Sequence, residues 1–199
     1  MIKKTNNNKQ DKLSANHLAE SLKKLAKNSL PPVEKWNPPF CGDLDIRIAR
    51  DGTWFYLGTP IGRPELVRLF SSIIRKDKEN YFLVTPVEKV GIQVDDAPFV
   101  AVDFDNHKQD GIDYLEFTTQ VGDKIIAGPK NPIRIQFDKK TQEPSPYLLV
   151  RRNLEALIDR KSFYRLVDIG VHNSIEDKMW FGVWSQNKFF PLILSKEIA

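Results

Sequence analysis

The sequence predicts an α+β protein built as two β-rich halves, each carrying one main helix. Three observations lead there. Short runs of alternating apolar residues are closed by turns bearing Gly, Asp and Pro; one run, 64–76, switches to helical period; and the order hairpin, Gly/Pro break, helix, strands returns in the second half. At 199 residues and 41% hydrophobic content the chain has enough apolar side chains for a buried core.

Residues 1–12, rich in Asn and Lys, offer nothing to bury and read as a disordered tail. Residues 14–28 then read as a helix, because Leu18, Leu22 and Leu25 form one apolar stripe and Lys23, Lys24 and Lys27 crowd its last turns. Such a basic amphipathic helix either lies on a membrane or partner or docks its leucines on its own domain. Pro31, Pro32, Pro38 and Pro39 form a stiff connector around Trp36. A hairpin follows: Ile46 and Ile48 alternate with Arg47 and Ala49, Asp51-Gly52 makes the turn, and 53–57 is an aromatic strand. Pro64 and Glu65 open a helix whose stripe is Leu66, Leu69, Phe70, Ile73 and Ile74, with Arg68, Arg75 and Lys76 opposite.

Strands are predicted at 81–84, 89–94 and 99–104, then a polar turn at 106–111, a hairpin of 114–120 with 124–127 around Gly122-Asp123, and a strand at 133–137. A helix near 151–159 and aromatic strands at 162–168, 180–184 and 189–194 complete the chain, with Trp180, Phe181 and Trp184 read as core. Arg63, Leu66, Leu69 and Phe70 superimpose in spacing on Arg151, Leu154, Leu157 and Ile158, and Asp51 to Gly58 has a looser counterpart in Asp123 to Gly128. This pattern predicts an internal duplication. The divisions it suggests are 1–30, a lysine-rich tail and amphipathic helix, 31–95, an N-terminal α+β half, and 96–199, a C-terminal β-barrel-like half.

The charge of +4 is concentrated: residues 1–30 hold seven lysines against Asp11 and Glu20, a net of +5, which leaves −1 for the rest. No internal basic run with interleaved aromatics exists, so nucleic-acid binding is not expected. One cysteine, Cys41, forms no internal disulfide, and no apolar run resembles a signal peptide or a membrane span. The expectation is a cytoplasmic protein without membrane insertion.

The chemistry-bearing candidates are few. Gly58 to Arg63 precedes a helix N-terminus, but Pro60 and Pro64 remove backbone donors and no Gly-Lys-Ser/Thr ending follows, which leaves Arg63 to hold an anion by its side chain. Thr85, Glu88 and Lys89 place a donor, an acceptor and a cation between two strands, a combination that serves either a ligand or a solvated turn. Asp95, Asp96, Asp103 and Asp105 are the candidates for a hard cation, with turn and solvent roles as the competing reading. His17, His107 and His172 show no zinc spacing, and Cys41 has no adjacent base to activate it, so it reads as a buried thiol.

The segments CGDLDIRIARDGTW (41–54), GTPIGR (58–63) and above all LVTPVEKVGIQVDDAPF (83–99) resemble the bacterial domain-of-unknown-function 1285 family, and PYLLVRRNLEALIDRKSFYRLV (146–167) resembles it more loosely. The resemblance runs from about Pro31 onward and excludes the lysine-rich start. It implies a duplicated α+β core, a C-terminal half superficially like a pleckstrin-homology barrel, a small-ligand site between the halves, nucleotide-like in character, and a signalling role.

The resulting expectation is a non-enzymatic sensor or adaptor without a cofactor, binding a small phosphate-bearing ligand. Arg63 would pair with an anionic group, Thr85 would hydrogen-bond, Lys89 would add charge, Trp54 would stack on a planar ring, and Glu88 and Asp95 would complete the site. The alternatives are a divalent-metal hydrolase using Asp95, Asp96 and Glu88, and a protein-interaction module acting through residues 14–28.

Overall fold

The computed structural model describes Ala15 and residues 30–198. The expected tail at 1–12 and helix at 14–28 lie outside the described residues, Ala15 excepted. The described chain divides into two compact units at Asp96/Ala97.

The N-terminal unit opens with a 3-10 turn, Val33–Lys35, and continues through β1 (Phe40–Ile48), β2 (Trp54–Tyr56), β3 (Thr59–Pro60), α1 (Pro64–Ser72), β4 (Ile74–Asp77), β5 (Asn80–Val84) and β6 (Lys89–Val94). These strands form one sheet in the order β3-β2-β1-β6-β5-β4. Every neighbouring pair is antiparallel except β1 with β6. Leu44, Ile46 and Ile48 alternate with exposed or half-buried neighbours along β1, and with Trp54, Phe70, Leu83 and Val90 they are buried.

Helix α1 stops at Ser72, two residues before Ile74 of the expected stripe. Ser71 and Ser72 turn their hydroxyls back onto the carbonyls of Arg68 and Leu69, at 2.8 and 2.6 Å, which weakens the helix there. The β-branched pair Ile73-Ile74 then turns into strand, with Ile74 opposite Leu83. Arg75 and Lys76 therefore belong to β4 and not to the polar face of a helix.

The C-terminal unit comprises β7 (Phe99–Gln109), β8 (Ile112–Thr119), β9 (Lys124–Ile126), β10 (Ile133–Phe137), β11 (Pro144–Arg151), β12 (Leu154–Ile158), α2 (Arg160–Asp168), β13 (Val171–Ile175), β14 (Lys178–Ser185) and β15 (Lys188–Leu194). Its first six strands form a half-barrel sheet in the order β10-β11-β12-β7-β8-β9, and the last three form an antiparallel meander. The expected turn at 106–111 is shorter than predicted, because β7 runs to Gln109 and only Asp110-Gly111 turns.

The helix expected near 151–159 is instead a hairpin, and the strand expected at 162–168 is α2. Arg152 takes a left-handed φ of 54°, so the chain reverses between β11 and β12, and Leu154, Ala156 and Ile158 face inward with the period of a strand. Asp159 then caps α2, its carboxylate accepting the Ser162 N–H at 2.7 Å, and Ser162 and Leu166 are buried one turn apart. The spacing match between Arg63–Phe70 and Arg151–Ile158 thus compares a helix with a hairpin.

A duplication is nonetheless visible in the topology. Numbering the first six strands of each unit from one gives the same order, 3-2-1-6-5-4, with the same single parallel pair between first and sixth strands. Asp51-Gly52, after the first strand, corresponds to Asp110-Gly111 in the second unit, and not to the Gly122-Asp123 region. The helices occupy different places: α1 lies between third and fourth strands, whereas α2 follows the sixth.

Trp184, expected in the core, is 39% exposed and packs on Phe189, while Val183 and Phe190 are buried. Gly182 holds the meander together by what it lacks. A Cβ there would stand 2.2 Å from the Phe190 carbonyl oxygen, which is backbone and cannot swing away. Gly182→Ala is expected to cost about 2 kcal/mol and to speed amide exchange in β14 and β15 ahead of the six-stranded sheet; uniform protection in both would show that the strands separate without penalty.

Candidate functional site

The parallel pairing of β1 with β6 is interrupted. Asp43 stands opposite Gly91 and Arg47 opposite Gln93, so β1 advances four residues while β6 advances two. The surplus in β1 bulges out of the ladder. Beside it opens a cleft of about 600 Å³ in the N-terminal unit, reaching from the bulge to the turn between β4 and β5.

Its lining is acidic and amphipathic. Asp43, Asp45 and Glu79 contribute carboxylates; Asn80, Tyr81 and Gln93 contribute neutral polar groups; half-buried Ile92 and Val94 contribute apolar contact, while the side chains of Leu44 and Ile46, on the same stretch of β1, are buried in the core. No Lys or Arg lines it. Gly91 makes room for one of the carboxylates, since a Cβ at that position would lie 2.1 Å from Asp43 Oδ1. All of these groups except Glu79, which sits exposed in the β4–β5 turn, are set on strands, which is what a binding surface needs.

Several other acids of this unit are committed to partners. Asp95 accepts from Arg47 at 2.9 Å and from Gln93 at 3.2 Å, and Asp96 lies 3.2 Å from Arg50. Asp51 accepts the Thr53 N–H at 2.9 Å, and this hydrogen bond lowers its pKa. Asp77 binds both Arg75 and Lys89; burial pushes its pKa up, but the hydrogen bonds from Lys89 and Arg75 outweigh that and hold it below the ordinary value. Among the described residues, Asp43 and Asp45 have no such ion pair.

The residues expected to form the site lie elsewhere, and none of the six lines this cleft. Thr85 and Glu88 close a turn on each other. The Thr85 hydroxyl accepts the N–H groups of Val87 and Glu88 at 3.3 and 3.1 Å and donates to the Glu88 carbonyl at 3.3 Å, and both side chains are buried. Lys89 sits 2.6 Å from Asp77 Oδ2 and 3.9 Å above the Phe82 ring. Trp54, 2% exposed, is stacked on Phe70 in the core, so its ring is covered by protein and not open for stacking on a ligand. Arg63 stands exposed at the start of α1 and makes no side-chain cap, and the Gly58-to-Arg63 loop is partly the edge strand β3, paired with β2.

Asp95, Asp96 and Glu88, the carboxylates considered for a metal, therefore go to three separate environments. Among the described residues, the group that does converge is Asp105, His107 and Glu116 on the exposed β7–β8 hairpin, with ligand atoms within 4.8 Å of one another. Lys124 already places its ammonium 2.6 Å from Glu116, which lowers the Glu116 pKa. Cys41, expected to be buried, is exposed, because β2 pairs only with Ile46–Ile48 and leaves the start of β1 open on that side. No helix among the described residues is long and apolar enough to cross a membrane.

Two family models match the chain in series: the N-terminal domain of the domain of unknown function DUF1285 over residues 31–97, and its C-terminal domain over residues 98–192. The chain belongs to the DUF1285 family. A solved family member from Silicibacter pomeroyi DSS-3 is 56% identical, with a TM-score of 0.83 over 93% of this chain and 97% of its own. Another from Shewanella baltica OS155 is 32% identical, with a TM-score of 0.51 over 63% of this chain and 91% of its own. No curated protein matches the chain. The DUF1285 assignment agrees with the division at Asp96/Ala97 and carries no activity with it.

The cleft escaped the sequence reading for a physical reason. Asp43 and Asp45 alternate with Leu44 and Ile46 like any solvent-facing strand residues. Only the broken register with β6, more than forty residues away, turns that edge into a concavity. The one local signal was Gly91 between Val90 and Ile92 inside a strand, a mark of close approach by another group.

Proposed function

We propose that this DUF1285 protein is a small-ligand-binding module, a sensor or adaptor and not an enzyme, whose site is the β1–β6 cleft of the N-terminal unit. The observation that carries the reading is the cleft itself: about 600 Å³, within the range of small-molecule pockets, with apolar walls and a few convergent polar groups on rigid strands. The lining supplies groups that orient a ligand and no activated nucleophile. Its charge favours a ligand without phosphate over the phosphate-bearing one suggested by Arg63 and Lys89, because three carboxylates and no cation face the space. The single cysteine suits a protein that works in a reducing cytoplasm.

A thermal-melt screen of the full chain against nucleosides, nucleotides, cyclic dinucleotides, small amines and divalent metals tests this reading. A compound at about 100 times its Kd stabilises by about 2.7 kcal/mol, or roughly 5–10 °C in midpoint for a chain of this size. The hit is expected to weaken in Gly91→Ala, whose new Cβ displaces the Asp43 carboxylate, and to survive in Arg63→Ala. The reverse pattern, loss in Arg63→Ala with retention in Gly91→Ala, moves the site to the start of α1 and overturns the proposal.

A further inference from the structure

We infer that the ligand of the β1–β6 cleft carries a cationic nitrogen, an ammonium or guanidinium group, held by Asp43 and Asp45. This rests on the cleft being the ligand site and adds the chemistry of what it takes. Negative charge is left uncompensated in the cleft lining. The unit pairs Asp77 with Arg75 and Lys89, Asp95 with Arg47, and Asp96 with Arg50, yet it brings no basic side chain to the cleft lining.

Glu79 is partly offset by Lys76, 3.8 Å away, so the unbalanced charge falls on Asp43 and Asp45. Neither has an ion-pair partner among the described residues. The Asp43 carboxylate also occupies the space over Gly91 that any other residue's Cβ would need, so it lies close to the β6 backbone. A concave surface lined by one sign of charge concentrates ligands of the other sign. Half-buried Ile92 and the half-buried Tyr81 ring give the rest of such a ligand an apolar surface to rest on, which fits an amine with a planar or aliphatic tail.

Three probes of one shape and different charge decide the matter: tyramine, its neutral alcohol analogue tyrosol, and anionic 4-hydroxyphenylacetate. Each is titrated into the 15N-labelled full chain at low ionic strength, following the amide signals of Asp43, Asp45, Gly91 and Gln93. Tyramine is expected to shift these signals and to bind at least about fivefold more tightly than tyrosol, the scale of one solvent-exposed ion pair. Asp45→Asn and Asp43→Asn should each erase most of that advantage, and added salt should narrow it. Both side chains are exposed, so an unaltered melt of each variant verifies the fold. Equal binding of tyramine and tyrosol at these amides, or preference for the carboxylate, overturns the cationic-ligand inference and leaves the cleft reading standing. If none of the three probes moves these signals at millimolar concentration, both fall together.

Discussion

Trp54→Ala is expected to destabilise the N-terminal unit by about 4 kcal/mol, lowering its melting midpoint by roughly 8–16 °C. The side chain is 2% exposed, stands opposite Ile48 in the β1–β2 pair, and stacks on Phe70 of α1 with ring centroids 6.3 Å apart. Truncation opens a cavity between sheet and helix that rigid strands cannot close. Trp54→Phe should cost less than half as much, because the indole N–H is buried without a hydrogen-bond partner and its removal leaves no polar group stranded. The contrast separates a core role from ligand stacking. A ligand platform tolerates alanine in the melt and loses binding, so a Trp54→Ala protein with an unchanged midpoint would falsify the core assignment.

Arg75→Met is expected to cost about 3 kcal/mol, or roughly 6–12 °C in the midpoint of the same unit. Its guanidinium is nearly buried and carries three loads at once. Nη1 donates to the carbonyls of Val33 and Trp36 at 3.0 and 2.7 Å, Nη2 donates to Asp77 at 3.0 Å, and Nε lies 2.9 Å from the same carboxylate. Methionine preserves the bulk and removes all of these, which frees the 3-10 turn at Val33–Lys35 from β4. Trp36 fluorescence reports that release. Arg75→Lys should recover little, since one ammonium cannot span two carbonyls and a carboxylate in that geometry.

The pH dependence supplies a second readout for the same residue. Asp77 is held below its ordinary pKa, so its contribution is present above that value and fades as pH falls through the lower folded value. Arg75→Met removes part of that depression and should flatten the acid limb of the stability curve below about pH 4, with Lys89 preserving the remainder. An acid limb identical to that of the unaltered chain would show that Lys89 alone holds Asp77.

How much of this was legible beforehand can be judged from particular segments. Strands β6 and β10 were readable to the residue, because each is a short run of strand-forming residues whose identity is a local property. The stretch 151–168 was read with helix and strand exchanged. Leu154, Leu157 and Ile158 satisfy a helical stripe, and Leu154, Ala156 and Ile158 satisfy a strand equally well. The deciding features were the Arg152-Asn153 reversal and the Asp159 cap, each of which depends on one backbone torsion. The duplication was inferred from a coincidence of spacing and is carried instead by strand order, which no linear comparison of those two segments contains.

The sequence by itself determined the family, the two-part α+β organisation, the concentration of positive charge in the first 30 residues and the near neutrality of the rest. These follow from composition, local periodicity and turn chemistry, which neighbouring residues settle among themselves. Only the tertiary structure decided which polar groups are already spent. Thr85 looks like a donor until Glu88 folds onto it, Lys89 looks like a free cation until Asp77 and Phe82 surround it, and Asp43 and Asp45 look like ordinary surface acids until β6 slips two residues past β1. Pairing between strands distant in sequence is set by the burial of whole faces and not by any one residue, and it is that pairing which opens the cleft.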